Sequence, residues 1–174
     1  MTRRVRLIAR IALFSALIYV LSWVTSSLPN VNAAFLIAFS AGYIWGAWPG
    51  IAVGAVGMWL WTSFNPLGPA APPIAGAQII GLAACGLMGR LFRPLASFQQ
   101  PAVSRYAFLL LAAAGCTLIY YLPVSVVDAW VFQPFWPRLI GSLGFAGISL
   151  VANLIIFPLL FGAVRRICER ESAL

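Results

Sequence analysis

The sequence predicts an all-α integral membrane protein, a bundle of six transmembrane helices with both termini in the cytoplasm. Three observations lead to this fold class. Of the 174 residues, 63% are hydrophobic and 8% are charged, which is more apolar surface than one water-soluble core can bury. Turn-forming residues divide the chain into six apolar segments. Arginines cluster at those segment ends that lie on the same side of the membrane when the chain crosses it an even number of times.

Each segment is bounded by residues that interrupt helices. The first ends at SSLPN (26–30), the second and third meet at WPG (48–50), and NPLGP (65–69) precedes the fourth. Because a span needs about 20 apolar residues, segments two and three are short, and they form either tilted helices or a partly re-entrant hairpin. The helices are expected at roughly 7–28, 33–47, 50–64, 72–92, 105–126 and 138–164, in a single membrane domain over residues 1–174.

The arginines predict the orientation. With a cytoplasmic N-terminus, ten of the 11 arginines fall on the cytoplasmic side, and Arg138 alone lies outside. Six spans satisfy this distribution, whereas five or seven would violate it at one end. We expect no cleaved signal peptide, because the first segment is too long for the apolar region of one. The cytoplasmic arginines are Arg3, Arg4, Arg6, Arg10, Arg90, Arg93, Arg105, Arg165, Arg166 and Arg170.

Residue types that most catalysis and metal binding need are scarce. The sequence contains no histidine, which excludes hydrolytic triads and histidine metal sites. Cys85, Cys116 and Cys168 lack CxxC spacing, and we expect Cys85 and Cys116 to be small packing residues. The sequence therefore predicts neither an enzyme nor a metal or cofactor site. The net charge of +8 is interpreted as membrane topology rather than as a nucleic-acid interface.

Small residues recur at helical spacing in the first three segments. Ala12 and Ala16 lie four residues apart on one helix face, and Ala9 extends this strip. Such a shallow groove allows another helix to approach closely, so it is either internal packing or a docking face. Glycines at similar spacing favour close helix crossings in segments two and three. These glycines are Gly42, Gly46, Gly50, Gly54 and Gly57.

Polar and aromatic residues concentrate in the outward loops, at 29–32, 63–73 and 127–138. This distribution is what the capture of a solute from outside requires. The third of these loops is rich in aromatic residues, which form either part of a binding site or an interfacial belt. They are Trp130, Phe132, Phe135 and Trp136.

Several motifs occur together in this chain. ALFSA (12–16) follows a basic N-terminus, and the middle contains GYIWGAWPGIAVGAVG (42–57), NPLGP (65–69) and IAGAQIIGLAACGLMGRL (74–91). With six spans and both termini inside, this layout resembles the substrate-binding S component of energy-coupling factor (ECF) vitamin transporters. In that family an A-x-x-x-A motif in the first helix docks on the transmembrane coupling subunit, and Ala12 and Ala16 match it.

The resemblance implies high-affinity binding and uptake of a small vitamin-like solute across the plasma membrane of a prokaryote. The implied partners are a coupling subunit and a pair of ATPase subunits. It places the solute near the outer ends of the later helices, where amides can donate and accept hydrogen bonds and aromatic rings can stack on a flat ring. Asn153 is mid-segment, so its amide must face protein or solute. The candidates are Asn32, Asn65, Gln78, Tyr120, Tyr121, Trp130, Trp136 and Asn153.

Asp128 and Arg138 are the opposite charges on the outer side. They form either a mutual salt bridge that closes the fifth loop, or separate ligand contacts in which Arg138 binds a carboxylate or phosphate and Asp128 an amine or ring N–H. A site with one base, one acid and several aromatic residues suits a small zwitterionic or heteroaromatic vitamin better than a polyphosphate.

Two other functions fit the same composition. One is a solitary small transporter or channel that works without a coupling module, although the inner halves of these helices are too apolar to line a polar pore. The other is a scaffold subunit of a membrane complex. Neighbouring genes for two ATPases and a coupling subunit would favour the importer subunit.

Overall fold

The computed structural model describes residues 2–28, 30–95 and 101–172, and its regular secondary structure in these ranges is entirely helical. The described residues form six α-helices, which confirms the predicted number of helical segments and the all-α class. They are α1 (Arg3–Val24), α2 (Ala34–Trp45), α3 (Ala47–Phe64), α4 (Pro72–Phe92), α5 (Ala102–Val131) and α6 (Phe135–Ser172).

Four of the described helices, α1, α4, α5 and α6, are long and apolar enough to cross a membrane. The other two are shorter, with 12 residues in α2 and 18 in α3. A helix the length of α2 covers about 18 Å, which is less than the roughly 30 Å of a hydrocarbon core. That α2 and α3 form either tilted helices or a partly re-entrant hairpin in a membrane stays a prediction.

The central helix of the bundle is α2. It contacts each of the other five helices, and every residue of α2 except Trp45 is buried. Around it, the remaining helices form an arc in the order α1, α3, α4, α5 and α6, each packed on the next. The arc brings α1 and α6 to its two ends, and both of these helices pack on α2.

Close backbone contacts hold α2, α3 and α4 together. A Cβ atom added to Gly42 or Gly50 would overlap the carbonyl oxygen of Gly86, and one added to Gly54 would overlap the backbone of α4. The sequence prediction of close crossings is confirmed at these three positions of α2 and α3, and at Gly57, where an added Cβ would lie 2.8 Å from the side chain of Ile18 in α1. It is wrong for Gly46, whose φ of 104° makes it the turn between α2 and α3, with nothing close to its Cβ position.

The two ends of the bundle differ in charge. At one end, α1 begins and α6 ends, and Arg10 of α1 forms a salt bridge with Glu171 of α6. Arg93, at the end of α4, lines the same cavity as Arg10. We call this the arginine end. Asp128 and Arg138 pair at the opposite end, where α5 ends and α6 begins.

Several helix boundaries differ from the prediction: α5 and α6 extend at both ends, α1 begins earlier but ends at Val24 rather than at 28, and α2 lies within its predicted segment. Helix α1 begins at Arg3, and α5 continues to Val131. Because α6 begins at Phe135, only residues 132–134 link it to α5, where the sequence predicted an outward loop over 127–138. A membrane helix need not stop where its apolar run stops, since the headgroup regions add about 5–8 Å on each side in which charged and aromatic residues remain helical.

Candidate functional site

A cavity of about 490 Å³ opens at the end opposite the arginines, between α4, α5, α6 and the α1–α2 link. Its volume lies within the range of about 300–1,000 Å³ that is typical of small-molecule sites. Aromatic rings of Tyr120 and Phe145 provide part of its apolar wall. We call it the polar cavity, and its polar lining residues are Asn30, Gln78, Tyr121, Asp128, Arg138 and Ser142.

The start of α4 places Gln78 in this wall. Pro72 and Pro73 occupy the first positions of the helix, where their fixed φ suits the helical turn and their missing N–H groups cost nothing. Ile74 and Gln78, four residues apart, then lie one above the other on the face that lines the polar cavity. The predicted contribution of Gln78 to a site is therefore consistent with its position.

A hydrogen bond from α5 holds the α1–α2 link against the cavity. The hydroxyl of Tyr121 donates to Oδ1 of Asn30 at 2.6 Å. Asn30 has a φ of 60°, a left-handed conformation that asparagine tolerates better than most residues. Asn30 was not among the candidate site residues, although its polar side chain in an outward loop was a signal that could have identified it.

Asp128 and Arg138 pair with each other at the cavity wall. The Nε and Nη2 atoms of Arg138 donate to the two carboxylate oxygens of Asp128 at 3.0 and 3.2 Å. The guanidinium also lies 4.8 Å from the ring centroid of Phe132. Of the two interpretations left open by the sequence, the structure has the mutual salt bridge. Both side chains also line the polar cavity, so the pair presents a cation and an anion to it.

Two predicted asparagines shape loops instead of lining the polar cavity. Oδ1 of Asn32 accepts the backbone N–H of Ala34 at 3.0 Å, at the start of α2. Oδ1 of Asn65 accepts the N–H of Leu67 at 2.9 Å, after α3 ends. Asparagine commonly satisfies backbone donors in this way at helix starts and turns.

The two candidate tryptophans lie on the outer surface of the bundle and outside the cavity lining. Trp130 is 74% exposed and Trp136 is 69% exposed. Their ring systems are available to a membrane interface, which is the environment that tryptophan prefers at the ends of membrane helices. The structure therefore favours the interfacial-belt interpretation over solute contact for these two residues.

Asn153 joins α6 to α5 in the interior. Its Nδ2 donates to Oγ1 of Thr117 at 3.0 Å, and the Thr117 hydroxyl in turn donates to the carbonyl of Ala113 at 2.8 Å. The amide is 1% exposed, and its Oδ1 has no hydrogen-bond partner among the residues that the structure describes. Asn153 thus faces protein, one of the two environments that the sequence allowed.

The alanine strip of α1 faces away from the bundle. Ala9, Ala12 and Ala16 are all exposed, whereas Ser15 and Ile18 on another face of the same helix are buried against α3. The hydroxyl of Ser15 donates to the carbonyl of Val53 in α3, at 3.4 Å. Packing within the six-helix bundle therefore does not account for the strip.

No family model, curated protein or solved structure matches the chain. Fold and cavity together define a six-helix bundle, with four helices of membrane-spanning length, that is compatible with a membrane protein.

Proposed function

We propose that this chain is a multi-pass membrane protein of a prokaryotic plasma membrane that binds a small vitamin-like solute for uptake, as the S component of an ECF-type importer. The polar cavity carries the proposal. It combines an amide, a tyrosine, a carboxylate and a guanidinium with apolar walls at one end of the bundle. Concave sites of this kind, mostly apolar with a few convergent polar groups, are typical of small-molecule binding.

The charge distribution supports the orientation that this function needs. The helix ends at the arginine end carry the basic residues, and the positive-inside rule then places this end in the cytoplasm. The polar cavity, at the opposite end, faces the outside. A solute would thus meet Gln78 and the Asp128–Arg138 pair before it met the closely packed glycine crossings of α2, α3 and α4.

The Asp128–Arg138 pair indicates the class of solute. Their side chains are 22% and 45% exposed, so water already competes for this bridge, and partly exposed bridges contribute little to stability. A zwitterion can replace each partner at small cost, with its carboxylate on Arg138 and its amine or ring N–H on Asp128. Gln78 and Asn30 supply further donors and acceptors for a heteroaromatic ring.

The exposed strip of Ala9, Ala12 and Ala16 supports a partner on α1. In the proposed complex, this strip receives a helix of the transmembrane coupling subunit, and a pair of ATPase subunits acts through that subunit. Small side chains let two helix backbones approach closely within a bilayer. The strip lies on α1, which does not line the polar cavity, so docking and solute binding use different surfaces.

A thermal-shift screen tests solute binding. Purified full-length protein is screened against a panel of vitamins, because a ligand raises the unfolding temperature by mass action. For the compound that stabilises the protein most, Gln78→Ala should weaken binding about tenfold, as expected for a lost buried hydrogen bond. Gln133→Ala, at an exposed glutamine outside the cavity, should bind like the wild type. Stabilisation by no compound, or equal weakening in both variants, would contradict the proposal.

A co-purification experiment tests docking. The chain is co-expressed with the coupling and ATPase subunits of its own genome, and the A12W/A16W double variant should lose their association because two indoles fill the groove. V151W places an indole at an exposed position of α6 and serves as the control, which should keep the complex. Retention of the complex by the A12W/A16W variant would refute the docking role of the strip.

A further inference from the structure

A second cavity, of about 770 Å³, lies at the arginine end and has no part in the proposed solute site. It opens where the two ends of the helical arc, α1 and α6, come together over the end of α2. Its charged lining residues are Arg6, Arg10, Arg93 and Glu171. We call it the arginine cavity, and three arginines against one glutamate give it a strongly positive lining.

The chain cannot neutralise this charge with its own side chains. The sequence contains three acidic residues, and each is already paired with an arginine. Glu171 is the acid in this cavity, and it pairs with Arg10, whose guanidinium also lies 5.6 Å from the ring centroid of Trp45. Arg6 and Arg93 form no salt bridge with any residue that the structure describes. Among the described residues no acidic side chain remains for these two arginines, so an anion from another molecule can bind them.

The rest of the lining is apolar and aromatic. Leu7, Ile44, Trp45, Trp48 and Pro49 complete the cavity, and Trp48 is 70% exposed. The indole N–H of Trp45 is buried and has no acceptor among the described residues, so the lining contains more donors than acceptors. A ligand that fits this surface combines a strong multivalent acceptor with an apolar portion.

We propose that the arginine cavity binds a phosphate group, that of an acidic phospholipid, with the phosphate held by Arg6 and Arg93. Guanidinium groups bind phosphate oxygens through charge-assisted, often bidentate hydrogen bonds. The glycerol and acyl portions lie against the exposed face of Trp48. Basic pockets between helices at the cytoplasmic ends of membrane bundles are suited to anionic headgroups in this way. Glu171 keeps Arg10 occupied and repels a second anion.

Lipid retention in native mass spectrometry tests this site. The full chain, purified in detergent, is offered equal amounts of phosphatidylglycerol and phosphatidylcholine with the same acyl chains. The wild type should retain phosphatidylglycerol preferentially, and R6Q/R93Q should weaken this retention about tenfold or more. R4Q/R90Q removes the same number of charges from exposed arginines outside the cavity and should retain the lipid like the wild type.

A single variant and a second phosphate compound complete the test of the lipid site. If R6Q/R93Q does not remain monodisperse, R93Q alone answers the question, because Arg93 is exposed at the end of α4. A thermal-shift titration with inorganic pyrophosphate should stabilise the wild type less than phosphatidylglycerol does, because pyrophosphate lacks the apolar portion that lies against Trp48. Equal retention of the two lipids, equal loss in R4Q/R90Q, or an Arg6- and Arg93-dependent response to pyrophosphate without lipid retention would each overturn the proposal.

Discussion

A single buried amide decides much of how α5 and α6 fit together. Asn153 donates to Thr117, and the Thr117 hydroxyl has its own proton committed to the carbonyl of Ala113. The threonine oxygen therefore accepts from Asn153, which fixes the orientation of both side chains. In a closely packed apolar interior, such a pair is worth little when it is complete and costs much when it is broken.

We expect T117V to lower the free energy of unfolding by about 1–3 kcal/mol, because valine keeps the volume of threonine but leaves the Asn153 N–H without its closest acceptor. The double variant T117V/N153L should recover most of this loss, since it removes the donor together with the acceptor. Reversible unfolding in mixed micelles measures both values. A double variant that is less stable than T117V would show that Asn153 contributes through other contacts.

The residue types in the sequence predicted only part of the candidate site. Gln78, Tyr121 and Arg138 were predicted from polarity near the outer helix ends, and they line the polar cavity. Asn32 and Asn65 have the same residue type and loop position, but a backbone N–H two residues ahead in the chain takes each side-chain oxygen. Composition does not distinguish an asparagine that turns the chain from one that faces a cavity, because the difference lies in local backbone geometry.

Glycine determines how closely three of the helices approach one another. At the crossing of α2, α3 and α4, the hydrogen atoms of Gly42, Gly50 and Gly86 leave room for backbone carbonyls of neighbouring helices. Van der Waals contact of this kind holds helices together where burial from water contributes nothing. The spacing of glycines in α2 and α3 predicted the crossing, and the partner helix α4 became known only from the structure.

We expect G86A to destabilise the bundle by at least about 1–3 kcal/mol, because the new methyl group would overlap the backbone of Gly50. G76A is the matched control on the same helix, since nothing lies within 4 Å of the Cβ position of Gly76. Its alanine should leave stability unchanged or raise it by up to about 1 kcal/mol through helix propensity. Thermal unfolding in detergent compares the two, and an equal loss in both would contradict the crossing argument.

The helices themselves were predictable because proline, glycine and asparagine interrupt the apolar runs at nearly every link between two helices. Helix ends inside charged or aromatic stretches were not. Arg3 begins α1 although it lies outside the apolar run, and α5 continues through Asp128 to Val131. An apolar run marks the part of a helix that can lie in the hydrocarbon core, whereas backbone hydrogen bonding decides where the helix ends. At a membrane interface these two boundaries need not coincide.

The molecule as a whole is polarised along the helix axes. The arginine cavity and the polar cavity lie at opposite ends, and α1 begins and α6 ends at the arginine end. When helices alternate in direction, the start of the first helix and the end of the last helix lie at the same end of the bundle only if the number of helices is even. In the proposed orientation, one end would meet a negatively charged membrane surface and the other a zwitterionic solute.

Sided labelling tests this polarity in cells. In a C168S background, Cys85 and Cys116 are buried, so an introduced cysteine dominates labelling. L67C lies in the α3–α4 link, where the leucine is 90% exposed, and should react with a membrane-impermeant maleimide on intact cells. V103C, at the arginine end and 84% exposed in the native protein, should react only after permeabilisation. The reverse pattern would place the polar cavity in the cytoplasm.

The burial of α2 on all sides also constrains how the protein is made. In the proposed membrane protein, the nascent chain presents α2 to the translocon directly after α1, yet this helix of 12 residues has no face left for lipid in the finished fold. Until α3 and α4 emerge, no protein covers the surfaces of α2 that the finished fold buries. For the proposed membrane protein, we therefore expect α2 to stay beside the insertion machinery and to enter the bilayer together with α3 and α4 rather than alone.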